Sequence, residues 1–231
     1  MSFHLLDDRA DPGNPWFSGQ YVRDNWSTIV AAFAEHVTLT VQAVVVAALI
    51  AVPLAVLAYW FRPLTGPILA LTGVLYTIPS LALLAFLAPY VGATNPASVL
   101  IALVLYALLL VVRNCLAGLT QVPAETIEAA DGMGYGRFVR LLRIELPLAL
   151  PSILTGVRLA TVSTVALVTV GSLIGYGGLG DLIFSGFRNN FYKAQILTGT
   201  LLSVALALAL DLLLAVAGRL LTPWTARRAV R

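Results

Sequence analysis

The chain has 231 residues, 59% of them hydrophobic and only 11% charged, with a formal net charge of +3 and a mean hydropathy of +0.91. Soluble globular domains carry about 25% charged residues, so this balance excludes that class and leaves an integral membrane protein whose solvent is lipid. The basic side chains are strung out between apolar stretches rather than gathered into a groove, so nucleic acid is not an expected partner.

In chain order, Met1 to Pro15 has several acids, no basic n-region and no apolar run, and no cleavable signal peptide is expected. Residues 1–30 read as an extracytoplasmic segment. Four charge-free stretches follow: Val37 to Phe61, Pro63 to Val112, Leu159 to Gly180 and Ala194 to Leu210. About 20 apolar residues span a bilayer, and the second stretch is long enough for two spans, divided at the Pro89 to Pro96 segment by its prolines, glycine and Asn-Pro pair. This predicts an all-α membrane domain over 31–220 with five transmembrane helices at about 37–59, 66–88, 97–117, 150–174 and 194–217, followed by a basic tail at 221–231. Arginine placement orients it. With the N-terminus outside, Arg62, Arg113, Arg137, Arg140, Arg143, Arg158, Arg219 and the tail arginines Arg227, Arg228 and Arg231 face the cytoplasm, against Arg9, Arg23, Arg188 and Lys193 outside. Trp16, Tyr21 and Trp26 then lie at the outer headgroup level.

The one substantial polar interruption between the spans, at about 121–147, is cytoplasmic in this orientation. Pro123 is set for a first helical position, Glu125 and Glu128 put negative charge near the helix N-terminus, and Ala129 and Ala130 propagate the turn. Gly132, Gly134 and Gly136 end it. Arg137, Arg140 and Arg143 then recur opposite Phe138, Leu141 and Leu142, an amphipathic stripe suited to the inner membrane surface, before Leu146-Pro147 leads into the fourth span. From the residues alone this is a connector folded to dock something.

Counting from Glu128, the order Glu-Ala-Ala, three residues, Gly134, nine residues, Ile144, one residue, Leu146-Pro147 resembles the loop of the membrane subunits of bacterial ABC importers. The resemblance implies a type I importer-like permease whose coupling helix lies between helices 3 and 4. Glu128, Ala129 and Ala130 would meet the ATPase with Asp131, Gly132 and Arg137 alongside, Gly134 would make the break, and Ile144, Leu146 and Pro147 would anchor the return. It also implies two ATP-binding subunits, a second permease chain, identical or homologous, an extracytoplasmic substrate-binding protein and a setting in membrane lipid. ATP and Mg would belong to the partners. No G-x-x-x-x-G-K-[ST] string occurs, so neither enzymatic activity nor a cofactor is expected of this chain. His4 and His36 have no companions at metal-ligand spacing, and Cys115, the one cysteine, reads as a small buried residue.

Thr77-Ile78-Pro79-Ser80-Leu81-Ala82-Leu83-Leu84, Arg113-Asn114, Leu146 to Pro151 with Gly156-Val157-Arg158, and Gly177-Gly178-Leu179-Gly180 look like the glycine betaine/carnitine/choline permeases. The implied cargo is an osmoprotectant such as glycine betaine, choline, carnitine or proline. Methionine-type and other small-substrate permeases share the plan and stand as the alternative. Leu110 and Ala55 depart from this subfamily, where proline and glycine are expected.

Pro53 and Pro79 sit inside predicted spans, where each removes a backbone hydrogen bond and suits a kink or gate. Tyr76, Thr77, Pro79, Ser80 and Arg158 are the candidate translocation path or gate, with a tyrosine face able to meet a quaternary ammonium, although helix packing accounts for the same residue types. Arg158 is placed to snorkel inward, and Asp211 to pair with Arg219 or Arg158. Two rival classes fit less well. Gly178-Leu179-Gly180-Asp181 spells the GxGD string of intramembrane aspartyl proteases, but the topology sets Asp181 and Asp211 at opposite faces, and a lone secondary transporter would want an inverted repeat. In a Cys115-free background, Ser18→Cys should react with an impermeant thiol reagent from outside and Tyr135→Cys only from the cytosolic side; the reverse pattern would overturn the orientation.

Overall fold

The computed structural model describes residues 13–92 and 95–226, and every regular element among them is a helix. His4, Arg9, Arg227, Arg228 and Arg231, with the end of the predicted tail from 227 on, lie outside the described residues. A short α1 (Gly19–Asp24) is capped by the Ser18 hydroxyl, which accepts from the Tyr21 amide at 3.1 Å.

The first span, α2 (Trp26–Trp60), runs 35 residues, starting well before the predicted 37. The predicted start follows from the charge-free run that begins at Val37, with His36 expected to open the span at the outer interface. Here His36 is fully buried. Its Nε2 faces the Val165 carbonyl at 3.0 Å and its Nδ1 accepts from the Leu179 amide at 3.3 Å, which fixes the tautomer with the proton on Nε2. Ala43, Ala47, Ala51 and Ala55 recur every four residues along α2 and are each 0% exposed, a small-residue ridge that lets α5 (Pro96–Thr120) approach closely. Pro53 is exposed on the other side of α2 from this ridge, and the helix continues through it without interruption.

At Pro79 the break is complete. The predicted span 66–88 is two helices, α3 (Arg62–Thr77) and α4 (Ser80–Val91), bent by 96°. Proline lacks the amide that would continue the ladder and drives Ile78 into an extended conformation (φ −64°, ψ 127°). The freed carbonyls are satisfied internally, as lipid demands: the Thr77 hydroxyl donates to Val74 O at 2.8 Å, and the Tyr106 hydroxyl of α5 donates to Ile78 O. With this pair counted as one broken span, α2, α5, the rod at Arg137–Ile174 and the helix Lys193–Leu221 bring the total to five.

The fourth span begins earlier than predicted. After α6 (Ala124–Gly132), α7 (Arg137–Arg140) passes through a π-helical turn (Leu141–Glu145) straight into α8 (Leu146–Gly171). The stripe expected to lie flat on the membrane is therefore the foot of a span: Phe138 and Leu142 are exposed, but Leu141 is buried and Arg140 points inward. Close packing of α5 on α8 depends on glycine. A Cβ on Gly156 would lie 2.6 Å from the Asn114 Cβ, and one on Gly118 would lie 2.8 Å from the Ser152 Cβ. A further helix, α9 (Leu179–Arg188), was not foreseen; it packs on α10 (Lys193–Leu221), which ends near the short α11 (Pro223–Ala226). Leu201, Leu208, Leu212 and Leu213 of α10 are left exposed, an apolar surface that requires lipid or another apolar chain.

Two glycine substitutions should move stability in opposite directions. Gly156→Leu should lower stability by about 1–3 kcal/mol by forcing α5 and α8 apart, whereas Gly73→Ala, whose Cβ meets nothing within 4 Å inside α3, should raise it by about 0.5–1 kcal/mol. Thermal unfolding of the detergent-solubilised chain checks both, and equal midpoints for the two variants would contradict the packing account.

Candidate functional site

The loop between the third and fourth spans is built around α6. Pro123 stands one residue before the helix rather than at its first position, and its carbonyl accepts from the amides of Thr126 and Ile127 at 3.1 and 3.3 Å. The far end is a Schellman motif: Tyr135 N–H donates to Ala130 O at 3.1 Å and Gly134 N–H to Asp131 O at 2.9 Å. Gly134 has φ +81°, a conformation open to glycine at little cost. Gly132 lies in the last turn of α6, and Gly136 precedes α7 in an extended conformation, so of the three glycines only Gly134 makes the reversal.

The stretch has two faces. Glu128, Ala129, Asp131 and Gly132 are exposed, with Met133 beyond them at 68%. Ala130, in contrast, is 0% exposed and packs within its own chain, so it is not free to meet another protein. Ile144, Leu146 and Pro147 are half-buried in the π turn and the foot of α8.

Behind the exposed face lies an ion-pair cluster. Arg140 Nε donates to Glu145 Oε1 at 2.6 Å, and its Nη1 reaches the Asp131 carboxylate. Glu145 is fully buried, and Tyr59 of α2 stands beside its carboxylate. Arg137 donates through Nη2 to Trp60 O at 2.9 Å, and its guanidinium lies 4.7 Å from the Trp60 ring centroid. It thereby satisfies one of the carbonyls left open at the C-terminus of α2, with a cation–π contact in addition. Sequence reasoning missed Arg140, Glu145, Tyr59 and Trp60. The available signal was an arginine and a glutamate five residues apart in an apolar run, a spacing that faces together in a π turn but not in an α-helix.

The proposed path residues divide into two places. Tyr76, Thr77, Pro79 and Ser80 cluster at the α3–α4 break, where the exposed Tyr76 meets Tyr106 edge-on with centroids 6.0 Å apart. Ser80 borders a small gap with Tyr106, Leu167 and Gly171. Arg158 is elsewhere. It forms a bidentate pair with Asp211 between α8 and α10, both contacts at 2.8 Å, which decides between the two partners expected for Asp211.

The Gly177 to Gly180 segment is a packing joint. Gly178 has φ +52°, and a Cβ there would lie 2.7 Å from His36 N; one on Gly180 would lie 2.5 Å from Thr169 O. Asp181 follows in the first turn of α9, its carboxyl pushed above the usual range by burial. Asp211 lies about 27 Å along α10 from Lys193 at about 1.5 Å per residue, already held by Arg158, so no aspartyl dyad forms.

The model of the family described as binding-protein-dependent transport system inner membrane component matches residues 43–227. The chain is 36% identical over 205 residues to the choline transport system permease protein OpuBB of Bacillus subtilis (strain 168), covering 88% of this chain and 93% of that one. It is 35% identical to the glycine betaine/carnitine/choline transport system permease protein OpuCD of the same organism, covering 89% of each. It is 34% identical to the osmoprotectant import permease protein OsmW of Salmonella typhimurium, covering 88% of this chain and 96% of that one. A chain of the MetNI methionine ABC transporter in an inward-facing conformation superposes with a TM-score of 0.79 at 20% identity, covering 86% of this chain and 98% of that one. That likeness speaks to fold alone.

Arg140→Gln should destabilise the chain by about 3 kcal/mol, because it strands the Glu145 carboxylate in the interior. The double variant Arg140→Gln/Glu145→Gln should recover most of the loss, since neutral partners of similar shape replace both charges. Thermal unfolding of the two variants checks this; equal destabilisation would mean that the buried charge is not what the arginine serves.

Proposed function

Because the chain belongs to the family of binding-protein-dependent transport system inner membrane components, we propose that it is the permease of an ATP-driven importer for a small osmoprotectant: glycine betaine, choline, carnitine or proline. The similarity to osmoprotectant permeases over nearly nine-tenths of the chain carries this reading. The methionine alternative draws only on a shared fold at 20% identity.

In this reading the chain sits in the cell membrane with its N-terminus outside and its C-terminus in the cytoplasm, and performs no chemistry. Two ATP-binding subunits hold ATP and Mg and hydrolyse the nucleotide, and an extracytoplasmic binding protein selects and delivers the cargo. A second permease chain completes the path, since two facing subunits can enclose what one cannot. The exposed side chains of Leu71, Val74, Phe86 and Tyr90 on α3 and α4 supply apolar surface for that contact. Glu128, Ala129 and Gly132 present the docking face to an ATP-binding subunit, with the Asp131 carboxylate turned to Arg140 of its own chain, and the small Ala129 allows close approach. Tyr76, Thr77, Pro79 and Ser80 line the path at the broken span. There an aromatic face can accompany a quaternary ammonium through cation–π attraction.

Reconstitution of the assembly in proteoliposomes tests the reading. Binding protein loaded with glycine betaine or choline should stimulate ATP hydrolysis and drive uptake, while the isolated chain does neither. Saturable downhill transport by the isolated chain would replace the importer reading with a secondary transporter. Ala129→Arg, an exposed change in a helix, should leave insertion and folding intact but lower co-purification of the ATP-binding subunits by about tenfold, the effect of roughly 1.4 kcal/mol at the contact. Undiminished co-purification with normal uptake would reduce the loop to a connector.

A further inference from the structure

Resting on the permease reading, we propose that Arg140 is a positioning residue that carries displacement of α6 into the membrane, tying the docking helix to the foot of the fourth span while Arg137 ties the same turn to the end of the first. The two halves of the Arg140 cluster are unequal. Asp131 on α6 keeps 51% of its side chain exposed, whereas Glu145 has 0%. Releasing an ion pair in water costs little, but leaving a carboxylate alone in the interior is expensive. Arg140 therefore stays with Glu145 and is drawn on from the α6 side.

The backbone is shaped for this. Glu145 closes the π turn and immediately precedes α8. In an uninterrupted α-helix a residue five positions on is rotated by about 140°, so the π turn is what brings Arg140 and Glu145 onto one side. On the other flank, Arg137 grips the Trp60 carbonyl and ring at the last residue of α2, next to Tyr59, which stands beside Glu145. A pull on α6 through Asp131 thus reaches the first and fourth spans through one helical turn. These two spans pack with α5 along the buried alanines and glycines, an interface dense enough to pass on a displacement rather than absorb it.

The test uses the complete importer in proteoliposomes with binding protein loaded with glycine betaine. Arg140→Gln/Glu145→Gln cuts the tether without stranding a charge. It should retain the ATP-binding subunits, while the ratio of binding-protein-stimulated to unstimulated ATP hydrolysis falls about fivefold or more and uptake falls with it. Asp131→Asn, which leaves the buried half in place, should lower the ratio likewise, and Arg140→Lys should restore part of it because a charge still bridges the carboxylates. A role confined to folding would move the unfolding midpoint and not this ratio. Ratios within about twofold of wild type in both the double variant and Asp131→Asn would overturn the proposal; if the double variant does not assemble, Asp131→Asn decides alone. A wild-type importer unresponsive to the loaded binding protein would instead count against the permease reading.

Discussion

Lipid offers no hydrophobic drive to hold one apolar helix against another, so helices in a membrane stay together through close packing and through polar groups that find partners. The seam joining α2, α5 and α8 meets that constraint with small residues. The alanine ridge of α2 faces α5, and Gly118 and Gly156 remove the side chains that would hold α5 and α8 apart. Everything else is mounted on this three-helix core. The broken span α3–α4 hangs from α5 through the Tyr106 hydroxyl, and the glycine joint before α9 closes over His36 of α2.

The same constraint explains where polarity is tolerated. His36, Glu145 and the Arg158–Asp211 pair each join separate helices or successive turns. Each is held by a protein partner, as a hydrocarbon setting favours. The loop around α6 has the opposite design on its outer face. Its acids and small residues are open on that side, and its inner face, with Ala130 and Arg140, is already committed to its own chain. A rigid inner attachment beneath an open outer face is what a docking element needs if movement of the partner is to reach the membrane.

Most of the span plan was legible in the sequence because charge-free runs report directly on lipid. The α6 turn was legible through its proline, acids and glycines. What stayed hidden depended on contacts remote in sequence or on an unusual local register. Glu35 and His36 looked like the edge of a span because the carbonyl that accepts from His36 and the amide that donates to it come from Val165 and Leu179, more than a hundred residues away. Arg140 looked like part of a surface stripe because helical spacing was assumed to be regular, and the π turn changes which side chains share a face. Pro53 and Pro79 looked alike as sequence, yet only Pro79 breaks its helix. The difference lies in the neighbours, since Pro53 is flanked by fully buried alanines and Pro79 adjoins carbonyls that side chains can take over.

In the proposed assembly the exposed face of α6 is where an ATP-binding subunit engages this permease. Site-specific photocrosslinking in membranes tests it most directly, with the reactive side chain at Met133 (68% exposed) compared with Leu208 on α10 (66% exposed). The account predicts a crosslink from Met133 to an ATP-binding subunit and none from Leu208. A crosslink to that subunit from Leu208 with none from Met133 would contradict it.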